Sequence, residues 1–165
     1  MITIEAGTLA DLEECLAAEF KSLFAGKTYM NSIGHRVELK AFVHSLPVKQ
    51  GDDDTQTDDD LPEPYIVSEV TGGKQQTEDS AHVVTAAVVI CVCDDNTARN
   101  GHKDVLAIIG KVLERFSKNP TLAGKFVLQR PLEWTLSDED TYPYYYGGLL
   151  MYWEVPAIEK EDTLA

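Results

Sequence analysis

His82–Cys93 reads HVVTAAVVICVC, a run in which nearly every position is β-branched or apolar. Such a run is too short for a membrane span and too rich in valine for a helix of ordinary propensity, so it reads as a strand. Its lack of polar alternation predicts a central strand covered on both faces. Everything else in the chain is placed around it.

Upstream, Tyr65–Val70 forms a short strand behind Pro62 and Pro64, and Val37–Leu46 alternates apolar and polar side chains until Pro47 stops it. From Thr8 to about Met30, Leu9, Leu12, Leu16, Phe20 and Leu23 recur at helical spacing. Downstream, the turn-forming DDNTARNG leads to a second helix over His102–Lys118, with Val105, Ile109, Val112 and Phe116 as its buried stripe and Asn119-Pro120 as its stop. Phe126–Leu136 and Tyr145–Val155 then read as two strands joined by the turn SDEDTYP.

The order is α-β-β-β-α-β-β. Strands grouped as neighbours favour an α+β domain with a single mostly antiparallel or mixed sheet of about five strands and two helices packed on one face. With 165 residues, 44% of them hydrophobic, the chain suits one domain over residues 1–165. A mobile acidic loop is expected at about 49–63, where seven acids include Asp52, Asp53, Asp54, Asp58, Asp59 and Asp60. A short flexible tail is expected from about residue 158.

Charge narrows the function classes. Fourteen Lys+Arg against 28 Asp+Glu leave −14, a field that repels phosphate backbones and anionic lipid. The early acids of MITIEAGTLADLEECL do not read as an export leader, and no apolar stretch reaches membrane-spanning length, so no membrane association is expected. Cys15, Cys91 and Cys93 are odd in number and fit neither a disulfide framework nor a zinc pair; they read as buried free thiols of a reducing compartment.

Catalytic signatures are missing from the sequence. The four histidines at 35, 44, 82 and 102 are scattered without zinc-ligand spacing, and there is no phosphate-binding glycine loop or nucleophile elbow. DDDTQTDDD lacks the alternation, glycine and terminal glutamate of a calcium loop. Paired carboxylates could be drawn from Glu133, Asp138, Glu139 and Asp140, but the last three share one wet turn, whereas an acid–base pair needs unlike environments. No catalytic residue, metal ligand or cofactor is therefore expected.

Aromatic residues concentrate late in the chain. Alternation puts Tyr144, Tyr146, Leu150, Tyr152 and Glu154 on one face of the last strand and Tyr145, Leu149, Met151, Trp153 and Val155 on the other. One face is expected to pack the helices and the other to need a cover, supplied either by another subunit or by a second layer of the same chain. Tyr144, Tyr146, Tyr152 and Trp153 are the candidate subunit-interface residues.

Four phrases, SLPVKQGDDD (45–54), LPEPYIVSEV (61–70), GHKDVLAIIGKVLERFSKNPTLAGKFVLQRPLEW (101–134) and DEDTYPYYYGGLLMYWEVPAI (138–158), resemble tail terminator, or tail completion, proteins of long-tailed bacteriophages. The resemblance implies a small α/β subunit that forms a hexameric ring on the end of the tail tube, stops its polymerisation and docks the head-completion complex. It implies no catalytic residues. Its partners would be further copies of itself, the tail tube protein and the head-completion or connector protein, with DNA passing through unbound. Six copies would carry −84, and acids lining the channel would keep DNA from sticking. Two other readings stand beside it: a head-side connector or adaptor of the same virion, and a cytosolic enzyme or small-ligand module with a polar pocket.

Overall fold

The computed structural model describes residues 8–48 and 56–156, leaving out the side chain of Thr8. Among these the chain forms α1 (Thr8–Leu23), β1 (Thr28–Met30), β2 (Arg36–Glu38), β3 (Lys40–Val43), β4 (Tyr65–Lys74), β5 (His82–Cys93), α2 (Gly101–Lys118), β6 (Thr121–Leu122), β7 (Phe126–Leu136) and β8 (Tyr144–Val155). A 3-10 turn covers Asp58–Asp60.

β5 lies near the middle of a six-stranded sheet ordered β3-β4-β5-β8-β7-β6, with β1 and β2 as a separate two-stranded ribbon. All neighbours in the large sheet are antiparallel except β3, which runs parallel to β4. The domain is thus α+β with a mixed sheet, and it has one strand more than expected. The extra strand is β6, whose two residues are too few to show any periodicity.

Both helices pack on one side. Val84, Ala86, Val88, Ile90 and Val92 of β5 form a single buried core with Leu12, Leu16 and Phe20 of α1 and with Val105, Ile109, Val112 and Phe116 of α2. Phe116 bridges the layers: it meets Phe20 edge-on at 6.5 Å between ring centroids and Trp153 of β8 edge-on at 5.2 Å. An ion pair between Arg115 and Glu19 ties α2 to α1 over this cluster.

Several expectations are corrected. α1 stops at Leu23 and not at Met30, because Gly26 turns the chain with φ +79° and Thr28–Met30 joins the ribbon. The expected Val37–Leu46 strand is two: β2 pairs back on β1, buried Leu39 marks the step, and β3 enters the large sheet. β4 extends through Thr71–Lys74, which read as loop, because the long β5 offers it partners beyond a bulge at Val70/Gly72. The helices cover β5 on one face only; on the other, Val89 is 39% exposed.

Part of the acidic loop is fastened down. Asp58 accepts hydrogen bonds from Asn31 Nδ2 at 2.7 Å and lies 2.8 Å from His35 Nδ1, while Lys40 Nζ donates to its carbonyl oxygen. The bonds from Asn31 and His35 hold the Asp58 carboxyl below the usual carboxylate range. Asp59 and Asp60 are exposed, whereas Leu61 and Glu63 are buried. Asp52, Asp53, Asp54 and the tail from 158 lie outside the described residues.

Candidate functional site: the open face of the sheet

Strand registers lay out the face that neither described helix covers. Directly paired residues point to the same side, so side chains form rows across the strands. One row is Glu69–Ala87–Leu150–Glu133, spanning β4, β5, β8 and β7. The next is Phe42–Val67–Val89–Gly148–Thr135, and beyond it lie Tyr65–Cys91–Tyr146 and then Cys93–Tyr144. On the far side of the first row, Thr85, Tyr152 and Gln129 stand together, with Gln129 Nε2 donating to Glu154 at 2.8 Å.

The centre of this surface is apolar and concave. Ala87, Leu150, Gly148, Glu133 and Thr135 border a shallow depression of about 380 Å³. Its depth comes from missing side chains, since Gly148 and Ala87 sit where larger residues would fill it. Gly148 is also sterically required, because a Cβ there would lie 2.8 Å from the carbonyl oxygen of Val88. Gly147 does the same duty on the opposite face, where a Cβ would meet Val105 Cγ1 at 2.5 Å. The glycine pair therefore lets α2 sit close beneath the strand while leaving a hollow above it.

One end of the face is padded with its own small cluster, in which Tyr65, Val67 and Cys91 pack with Phe42, Tyr144 and Tyr146. Burial pushes the Cys91 thiol up to about 12 and the Cys93 thiol up to about 11. Burial first, then the neighbouring Cys91, raises the Tyr146 phenol to about 12. These groups stay protonated and uncharged near neutrality, so this end offers neutral contact surface and no thiolate nucleophile. Glu63 lies buried nearby with Oε1 lacking a hydrogen-bond partner.

The candidate interface residues divide between the two faces. Tyr144, Tyr146 and Tyr152 lie on the open face and are half-buried. Trp153 does not: it is 0% exposed, wedged under α2 against Phe116, and is a core residue. The physical reason is its parity along β8, which puts it with Leu149 and Met151 toward the helices. Glu69, Ala87 and Val89 belong to the open face but were not singled out from sequence, and Glu133, weighed there only as an acid–base carboxylate, lies on this face as well. Each strand taken alone carries no sign of which residues stand beside them, because that information lies in register.

Among the described residues, no group of three or more His, Cys, Asp or Glu is placed to hold a metal ion. No described helix is long and apolar enough to cross a membrane. No protein-family model matches the chain, and no curated protein does.

Proposed function

We propose that the chain is a structural subunit of a bacteriophage tail: the terminator that forms a ring at the head-proximal end of the tail tube, halts tube growth and docks the head-completion complex. The observation that carries this reading is the bare face of the sheet. A two-layer domain that leaves a concave, apolar surface over β5, β8 and β7 exposes an area of the kind that mediates protein association. The sequence resemblance supplies the identity of the assembly, and the surface supplies the means of assembling.

In this reading the protein acts by occupying a tube end and not by bond chemistry. Ring closure requires two different complementary patches on each subunit, because a heterologous contact repeats head to tail until the rotation closes. Exposed Asp59 and Asp60, with the acids that precede them, would add negative charge that repels passing DNA.

The test is tail length. Tubes assembled without the protein should overgrow and fail to join heads, and adding it should restore a defined length with a ring visible at one end by electron microscopy. Tubes of unchanged length in its absence would refute the proposal.

A further inference from the structure

The outward face of α2 and the open face of the sheet lie on opposite sides of the same domain, and their features match. On α2 the residues turned away from the sheet include Lys103, Leu106, Ala107 and Gly110, with Leu106 37% exposed and Lys111 half-buried beside them. Lys103, Ala107 and Lys111 are spaced i, i+4 and i+8, so they align along one side of the helix. The two ammonium-bearing positions are about 12 Å apart along the axis.

On the open face, the row Glu69–Ala87–Leu150–Glu133 places two carboxylates at either end of an apolar pair. Three inter-strand steps separate them by about 14 Å. Neither Lys103, Lys111, Glu69 nor Glu133 has an ion-pair partner among the described residues. Exposed Glu114 is ion-paired with Lys118 within its own helix and also feels Lys111, as His44 feels Glu69, but neither of these two reaches ion-pair distance.

Charge is unevenly distributed along the chain as well. Residues 99–130 hold seven Lys+Arg against two Asp+Glu, a net +5; with −14 overall, the remaining residues carry −19. α2 itself carries four Lys+Arg against two Asp+Glu, so its positive positions on one copy attract the negative ends of the row on the next.

We infer that α2 of one copy lies across the open sheet face of the next, with Ala107 and Leu106 over the Ala87–Leu150 hollow, Lys103 at one carboxylate of the row and Lys111 at the other. This rests on the ring proposed above and names its two complementary patches. The contact is heterologous: each subunit presents helix on one side and sheet on the other, and a third layer forms at every junction. Exposed Val89 and the small residues Gly110, Ala107 and Gly148 allow close approach at the centre.

The test uses two full-length variants. In the first, Lys103→Glu and Lys111→Glu make the helix face acidic; in the second, Glu69→Lys and Glu133→Lys make the sheet rim basic. Each alone sets like charges opposite one another and should self-associate about tenfold more weakly, or worse, than the parent in sedimentation, both free and on tube ends. Mixed in equal amounts they should assemble again, because each variant's helix now faces the other's sheet, and closed assemblies should alternate the two. Circular dichroism identical to the parent's confirms that each variant is folded.

The inference is overturned if either variant alone assembles as well as the parent, if the folded variants fail to recover on mixing, or if the parent never self-associates, free or on tubes. Rings on tube ends without recovery on mixing would leave the terminator reading intact and place the contact elsewhere. Recovery on mixing, with tube length indifferent to the protein, would remove the terminator reading and leave the contact.

Discussion

The Gly147→Ala substitution probes how closely α2 is set on the sheet. The new Cβ would lie 2.5 Å from Val105 Cγ1 and 3.2 Å from both Ile109 Cδ1 and the Thr135 carbonyl oxygen. Carbon atoms pack at about 3.5–4.0 Å, so Val105 must retreat by about 1 Å or more, and α2 with it. Overpacking of this kind costs about 1–3 kcal/mol, against about 0.5–1 kcal/mol gained by replacing a strand glycine, so a net loss is expected. Val105→Ala alone opens a cavity in the same place and costs about 2 kcal/mol. Because the second change removes the atom that the first collides with, the double variant should be more stable than the sum of the two losses by about 1–2 kcal/mol. Urea denaturation followed by tryptophan fluorescence measures all four corners, with Trp153 as a buried reporter. Additivity to within about 0.5 kcal/mol would show that the strand and helix accommodate the methyl without contact, and would refute the close-approach account of Gly147.

Two further outcomes follow from burial and charge. Trp153→Ala should cost about 3–5 kcal/mol because it empties the space under Phe116, whereas Tyr152→Ala, on the open face, should cost no more than about 1 kcal/mol and act on assembly; equal losses of stability would contradict the division of β8 into two faces. The Glu13 carboxylate, 2.8 Å from His44 Nδ1, raises the pKa of that imidazole above 6.5, so its contribution to stability is complete below that value and is lost as pH climbs through the raised folded value. His44→Asn tolerates the φ of +68° but removes the titration, so the parent's urea midpoint should exceed the variant's by more at about pH 5.5 than at about pH 8.5. A constant difference across that range would exclude the pair as a source of pH dependence.

How much of the molecule was legible in its sequence depended on the range of the signal. β5, α2, β7 and β8 stood out because each sustains one period or one composition over ten residues or more. Their grouping then led to the mixed sheet with helices on one face. β1 and β6 were missed because two or three residues cannot display alternation, and β2 merged with β3 into one expected strand; these short strands exist through partners: Tyr29 faces Val37, and Leu122 faces Phe126. The parity of Tyr144–Val155 divided the strand into two faces, yet parity alone did not say which face the helices take. Trp153 was set beside the tyrosines for its size and chemistry, but the core claimed it because Phe116 and Met151 stand on its side. Asp58 read as part of a solvated run; its capture by Asn31, His35 and Lys40 joins residues far apart in sequence, beyond the reach of a local pattern.

Gly147 and Gly148 make one spot on β8 no thicker than its own backbone, with a methyl of Val105 against one side and the hollow against the other. A load placed on the hollow has no side-chain cushion to absorb it and passes through the peptide planes into α2. If α2 is itself seated on a following copy, as inferred above, a push on one hollow is handed on to the next.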